Sequence, residues 1–137
     1  MDGTLRYFDP EVRQRLRSAL ESALTVADAM GGGHELELRD GYPPTINDPA
    51  MTRLARRAAE EIVGADGVWE AEPMMGTEDF SLLLREAPGA MLWLGAAPER
   101  PRELHHADMD IDESVLPVGA AVLAACAREA LCQKANG

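Results

Sequence analysis

Basic residues are in short supply in this sequence. Its 137 residues contain 13 Lys and Arg against 24 Asp and Glu, which gives a formal net charge of -11. A surface that binds nucleic acid or an anionic membrane needs a basic patch that displaces counterions. The sequence therefore predicts neither nucleic acid nor a membrane as a partner. It also lacks a run of about 18 apolar residues, so that no membrane-spanning helix is expected.

Cysteine is also rare, and its placement excludes an internal disulfide. Cys126 and Cys132 lie on one predicted helix at a spacing that is neither one helical turn nor two, so the thiols point to different sides. Unpaired thiols favour a reducing compartment. The N-terminus does not have the charged-then-apolar pattern of a signal peptide. A cytoplasmic protein is expected.

Helix start signals recur along the chain. An Asp followed by Pro predicts the beginning of two amphipathic helices, one from Asp9 to Met30 and one from Asp48 to near Gly64. A short helix is predicted near Phe80, and a terminal helix is predicted to start near Asp112.

Four segments have the composition of strands. Residues 3–8 and 67–71 are short, and residues 34–40 alternate polar and apolar side chains as a half-exposed antiparallel strand does. Residues 90–95 form an apolar run that is typical of a strand buried on both faces. The chain changes character at Pro43-Pro44, and a domain boundary is predicted there.

His105 is the best candidate for a functional residue. It follows the apolar run and a loop, which is a usual place for site residues. Neutral imidazole is the commonest protein ligand of zinc and similar cations. A single His is nevertheless more often a surface or core residue, so both interpretations stay open on the local sequence. His106, which forms a His-x-Asp pattern with Asp108, is predicted to be a solvated neighbour.

Two further elements allow a structural and a functional interpretation. The segment from Gly76 through Thr77 and Glu78 to Asp79 predicts either a helix start with acids in its first turn or a loop whose backbone amides face a ligand. Arg6 is either an exposed edge residue or a planar fork for a substrate carboxylate.

The order of these segments resembles the di-metal amidohydrolase family that includes hippurate hydrolase, auxin-conjugate hydrolases, aminoacylase and carboxypeptidase G. The hippurate and auxin-conjugate branch is the most similar. The residues that carry the resemblance are, in order, 3–9 (GTLRYFD), 41–48 (GYPPTIND), 75–81 (MGTEDFS), Leu104-His105 and Asp112-Glu113.

The resemblance implies an α/β fold, as part of a two-domain zinc-peptidase-like architecture. Residues 1–43 would be the second half of a ferredoxin-like lid or dimerisation domain. Residues 44–137 would be the C-terminal part of the metal-binding catalytic domain. His105 would be the last metal ligand, and Arg6 would hold the substrate carboxylate.

The same resemblance implies that Gly76 and Thr77 line the substrate pocket, with Glu78 close by. The complete enzyme would be a homodimeric metallopeptidase-like amidohydrolase that uses a divalent metal, zinc or manganese, to hydrolyse the amide bond of small N-acyl amino acids. The general base and the other ligands would lie upstream of Gly3. The chain is therefore expected to be a fragment that is inactive alone. The alternative is a non-catalytic dimerising module.

Overall fold

The computed structural model describes residues 1–100 and 103–135. Short 3₁₀ turns precede or follow its longer helices, at Ala65–Gly67 and Glu113–Val115. Within the described ranges the α-helices are α1 (Pro10–Ala29), α2 (Pro49–Val63), α3 (Phe80–Glu86) and α4 (Leu116–Ala135).

Capping aspartates define where the two amphipathic helices begin. The Asp9 carboxylate accepts a hydrogen bond from the Glu11 N–H at 2.7 Å. The Asp48 carboxylate accepts from the N–H groups of Ala50 and Met51 at 2.8 and 2.9 Å. In both helices Pro occupies the first position, where an N–H would have no intrahelical partner. These starts confirm the helices predicted from Asp9 and Asp48.

The strands expected from the sequence are not formed in the described ranges, and the α/β class is therefore not shown by this chain. A strand requires a neighbour that accepts and donates its backbone hydrogen bonds. The segments expected as strands have no such ladder within the described ranges. The run expected to be buried on both faces is open instead: Trp93 and Leu94 are 58% and 44% exposed.

The chain divides into two compact units. Unit 1 comprises Met1–Ile46 and Pro73–Glu86, and unit 2 comprises Asn47–Glu72 and Ala87–Gly137. The assignment of residues 1–43 to a lid and residues 44–137 to a catalytic domain stays a prediction.

Unit 1 has little apolar core. No residue of α1 is buried, and the apolar stripe that makes the helix amphipathic includes Val12, Leu16 and Leu20, all of which are exposed. Arg13 ties α1 to the segments before and after it. Its guanidinium lies 5.8 Å from the centroid of the Tyr7 ring and forms an ion pair with Asp40.

Unit 2 is built on the packing of α2 against α4. Within the described part of the chain, the buried apolar side chains all lie on these helices: Leu54, Ala55 and Ala58 on α2, and Val122 and Ala125 on α4. The alanines let the two backbones approach closely. At the edge of this contact, two ion pairs at 2.6 Å connect the helices, Arg57 with Glu129 and Arg128 with Glu61.

One stretch of the described chain, Glu113–Cys132, is long and apolar enough to cross a membrane by length and composition. The sequence did not lead us to expect such a stretch. Most of its surface is exposed in this chain, although one face packs on α2. The core helix of a soluble protein meets the same criterion, so the stretch is weak evidence for a membrane span.

We predict that Asp112 makes the 3₁₀ turn Glu113–Val115, which leads into α4, sensitive to acid. Its carboxylate accepts a hydrogen bond from the Ser114 N–H at 2.9 Å, and hydrogen bonding by Ser114 lowers the pKa of Asp112 below its ordinary value. A lowered pKa in the folded state means that this contribution to stability is complete above the unfolded-state pKa and is lost as the pH falls through the folded-state value.

Asp112→Asn keeps the accepting oxygen but does not titrate. We expect the free energy of unfolding of the variant to fall less steeply than that of the wild type as the pH drops below about 4. Denaturant titrations over this range, followed by circular dichroism, measure both slopes. Equal slopes would show that the Asp112 cap does not contribute to the pH dependence of the free energy of unfolding.

Candidate functional site

His105 lies at the third position of a tight turn in unit 2. The turn is closed by a hydrogen bond from the His106 N–H to the Glu103 carbonyl at 3.3 Å. The backbone φ of His105 is +66°, in the left-handed region. A type II turn requires a positive φ at this position and usually has Gly or Asn there. A His at this position therefore carries backbone strain.

A strained backbone conformation is one mark of a candidate functional residue. Among the non-glycine residues of the described chain, His105 is the one with a positive φ. Strained backbone of this kind clusters at catalytic and ligand-binding sites, where the position of a side chain matters more than local stability. The His105 residue is exposed, and its ring has no hydrogen-bond partner among the described residues. An accessible, unengaged imidazole can serve as a ligand.

His106 differs from its neighbour. Its Nδ1 atom pairs with the Asp108 carboxylate, and both side chains are more than half exposed. This agrees with a solvated neighbour. No group of three or more His, Cys, Asp or Glu side chains that could hold a metal occurs in the described part of the chain. His105 is thus a single possible ligand and not a complete metal site.

One backbone hydrogen bond joins the two ends of the loop that carries His105. At its base, the Asp112 N–H donates to the Ala96 carbonyl at 2.9 Å. Just before the loop, Leu94 occupies the space beside Gly119 of α4, where an added Cβ would lie 2.9 Å from Leu94 Cδ2. The Leu94 side chain therefore lies against α4 at Gly119, where a larger residue would displace the end of the Leu94 side chain.

The Gly76-Thr77 segment lies in unit 1, and Arg6 lies beside it. The Arg6 guanidinium donates to the carbonyl of Met75, the residue before Gly76. Among the described residues other than Gly76 and its two chain neighbours, no heavy atom lies within 4 Å of the position that a Cβ of Gly76 would take. The structure thus brings Arg6 together with the segment that the sequence singled out.

The structure also bears on the helix-start interpretation of this segment. Helix α3 begins at Phe80, after Glu78 and Asp79, and its first turn contains no acid. Glu78 acts through its backbone instead: its carbonyl accepts hydrogen bonds from the Ser81 hydroxyl at 2.6 Å and from the Ser81 N–H at 3.2 Å. The segment before Glu78 therefore precedes α3 and is not its first turn.

Two residues, one in each unit, were missed by sequence reasoning. Ser81 is 2% exposed, and its three-residue spacing from Glu78 is a possible signal for the turn. Asn47 was not singled out as a functional residue, but its side chain makes two hydrogen bonds to the backbone of Met91. The sequence contains no signal for a contact over such a separation.

Known proteins resemble this chain over most of its length. The profile of peptidase family M20/M25/M40 matches residues 7–129. YhaA of Bacillus subtilis, an amidohydrolase by its name, is 36% identical over 129 residues, which are 91% of this chain and 33% of that protein.

Two further relatives have names that state an activity. Thermostable carboxypeptidase 1 of Saccharolobus solfataricus is 32% identical over 88% of this chain and 31% of its own length. N-acetyldiaminopimelate deacetylase of Streptococcus pneumoniae is 34% identical over 90% of this chain and 32% of its own length. The chain thus spans about a third of the length of these curated relatives. No solved structure matches it significantly.

The strain at His105 predicts that a glycine substitution there has an unusual effect on stability. At an ordinary helical or extended position, Gly is less favourable than Ala by about 0.5–1 kcal/mol, because it loses more backbone entropy on folding. At a positive φ this entropic cost is offset, since a Cβ there costs roughly 1–2 kcal/mol. We expect His105→Gly to be at least as stable as His105→Ala in denaturant titrations.

His106 offers a matched control, since its φ is not positive. His106→Gly should be less stable than His106→Ala by the ordinary glycine penalty. If His105→Gly showed the same penalty, the left-handed turn would not be present in solution.

Proposed function

This chain belongs to peptidase family M20/M25/M40, and from that premise we propose that it is the C-terminal part of a metal-dependent amidohydrolase. The observation that best supports this proposal is His105. An exposed, unengaged imidazole on a strained turn lies at the position that the resemblance gives to the last metal ligand. The substrates proposed for the complete enzyme are small N-acyl amino acids, including hippurate-like N-aroyl compounds.

We propose that the complete protein has the α/β, two-domain architecture of zinc peptidases. Residues 1–43 would then complete a ferredoxin-like lid, and residues 44–137 would complete the catalytic domain. The exposure of the apolar run at Leu92, Trp93 and Leu94 supports this, because a strand with large apolar side chains on both faces needs cover on both.

The metal would be divalent, zinc or manganese. His105 fits as one ligand, because its ring is accessible and makes no competing hydrogen bond among the described residues. The described residues do not supply the three protein ligands that a catalytic zinc site usually has. When bound, such a metal polarises the scissile carbonyl and lowers the pKa of water. This chain would supply one metal ligand, His105. The general base would come from residues upstream of Gly3.

Substrate binding is proposed for the Arg6 cluster, which consists of Arg6, Gly76, Thr77 and Glu78. A guanidinium recognises a carboxylate through two parallel hydrogen bonds, which Lys cannot match. Arg6 already donates to the Met75 carbonyl, so a substrate carboxylate would compete with that contact. The amides of Gly76 and Thr77 would face the bound amino acid. The S. pneumoniae deacetylase, whose name indicates an N-acetylated amino acid as substrate, supports the proposed class.

A chimera tests the proposed function. The 128 residues of the S. pneumoniae deacetylase that align with this chain would be replaced by the corresponding residues of this chain. We expect the purified chimera to bind divalent metal and to release acetate from N-acetyldiaminopimelate. The 137-residue chain alone should release none. His105→Ala in the chimera should lower kcat by more than about 100-fold, beyond the loss typical of residues that only orient a ligand.

His106→Ala is the matched control, because His106 adjoins His105 and is engaged with Asp108. It should leave the activity of the chimera close to that of the parent chimera. An active chimera that kept its metal and its rate after His105→Ala would show that His105 is not a ligand. A folded chimera with neither metal nor activity would count against the family function for this chain.

We also propose a second candidate, a non-catalytic module that forms a homodimer. The observation in its favour is the exposed apolar stripe of α1, which a second copy would cover. A homodimer is proposed for the complete enzyme as well. In either case we propose a cytoplasmic location for the protein, with small molecules rather than nucleic acid or membrane as partners. The two candidates differ in their need for metal: the function of the dimerising module would not require it, whereas that of the amidohydrolase would.

A further inference from the structure

The Asn47 side chain makes two hydrogen bonds with the backbone of a single residue, Met91. Asn47 Oδ1 accepts from the Met91 N–H at 2.9 Å, and Asn47 Nδ2 donates to the Met91 carbonyl at 3.0 Å. Two residues that exchange an N–H and a carbonyl in this way form the hydrogen-bonded pair of a β-ladder. The amide group therefore takes the part of a neighbouring strand at one position of residues 89–95.

A third bond strengthens this contact, which we call the Asn47 clamp. The Asp48 N–H donates to the Gly89 carbonyl at 2.8 Å. Asp48 is also the cap of α2, so the clamp fixes residues 89–91 to the start of a helix that carries most of the buried apolar residues of unit 2. All three bonds have ordinary lengths.

From the clamp, a short path of contacts reaches the His105 loop. Three residues after Met91, Leu94 packs beside Gly119 of α4. Two residues later, the Ala96 carbonyl accepts from the Asp112 N–H at 2.9 Å and closes the base of the loop. Residues 89–96 are thus held at one end by Asn47 and at the other by α4 and Asp112.

We infer that Asn47 is a positioning residue for His105. It holds the segment that leads into the His105 loop in the place where α4 and Asp112 can close that loop. The importance of positioning His105 rests on the proposed function, in which this imidazole is a metal ligand. The clamp itself does not rest on it.

The amide group suits this task better than other side chains. Alanine would leave both the N–H and the carbonyl of Met91 without a partner in a half-buried place, which is unfavourable for both groups. An ionised aspartate could accept from the N–H but would place a negative oxygen against the carbonyl. A protonated aspartate has both an O–H donor and a carbonyl acceptor, and could form both bonds.

The test measures amide hydrogen exchange by NMR on the full 137-residue chain without metal. In Asn47→Ala, the protection factor of the Met91 N–H should fall about 10-fold or more. The Asp112 N–H should also lose protection, and the His105 signals should shift. Loss of protection at Met91 alone would restrict the clamp to local stability and would overturn the positioning role. An unchanged protection factor at the Met91 N–H would show that the Asn47 clamp is not present.

Asp48→Ala is the matched control. It removes the capping bonds to Ala50 and Met51 but keeps the backbone N–H that donates to Gly89. Protection should fall in the first turn of α2 and remain at Met91 and Asp112. A contrary result would be that both variants lower the protection factors of Met91 and Asp112 and shift the His105 signals to the same extent. The effect would then reflect a general loss of stability in unit 2, and Asn47 would have no special role.

Asn47→Asp gives a second test that also holds if the alanine variant fails to fold. Protection factors at Met91 and Asp112 should be low while the new carboxyl is ionised and should recover as the pH is lowered and it becomes protonated. The wild type, measured at the same pH values, should show no such recovery. Absence of recovery in a folded Asn47→Asp would contradict the clamp. Because no metal or substrate is present, these outcomes are independent of the chimera experiment.

Discussion

The contact between α2 and α4 is the interaction on which unit 2 depends. It buries Leu54 and two alanines of α2 against Val122 and Ala125 of α4, and these are the buried apolar residues of the described chain. Burial of apolar surface is the main favourable term in folding. The clamp at the start of α2 and the closure of the His105 loop at the start of α4 both use this helix pair as their support. The candidate ligand is therefore attached to the part of unit 2 that contains its buried apolar residues.

In the rest of the described chain, the apolar side chains are not buried to a comparable extent. Apolar residues of α1, of the run at 92–94 and of α4 remain exposed. Their patterns, a helical stripe and a continuous apolar run, are those of elements packed in a core. Under the proposed function, both the exposed faces and the incomplete ligand set would be completed by residues outside this chain. The family relatives, about three times as long, have room for such residues.

A structural feature could be predicted from the sequence when the residues that cause it are neighbours in the chain. The starts of α1 and α2 follow from an Asp and a Pro next to each other, and both were predicted correctly. The strands require a partner far away in sequence, and their composition alone could not ensure that one is present. His105 was selected by its context, but its positive φ was not foreseeable, because only a few per cent of non-glycine residues adopt a positive φ. Asn47 was missed because its partner, Met91, lies 44 residues away.

The most direct measurement is the sequence of the source gene upstream of the Met1 codon. We predict an in-frame extension that encodes a Cys-x-His or His-x-Asp element and an adjacent Glu-Glu pair, which would supply the remaining ligands and the general base. A stop codon directly upstream, with no such residues encoded nearby, would contradict the proposal that His105 completes a metal site and would favour the dimerising module.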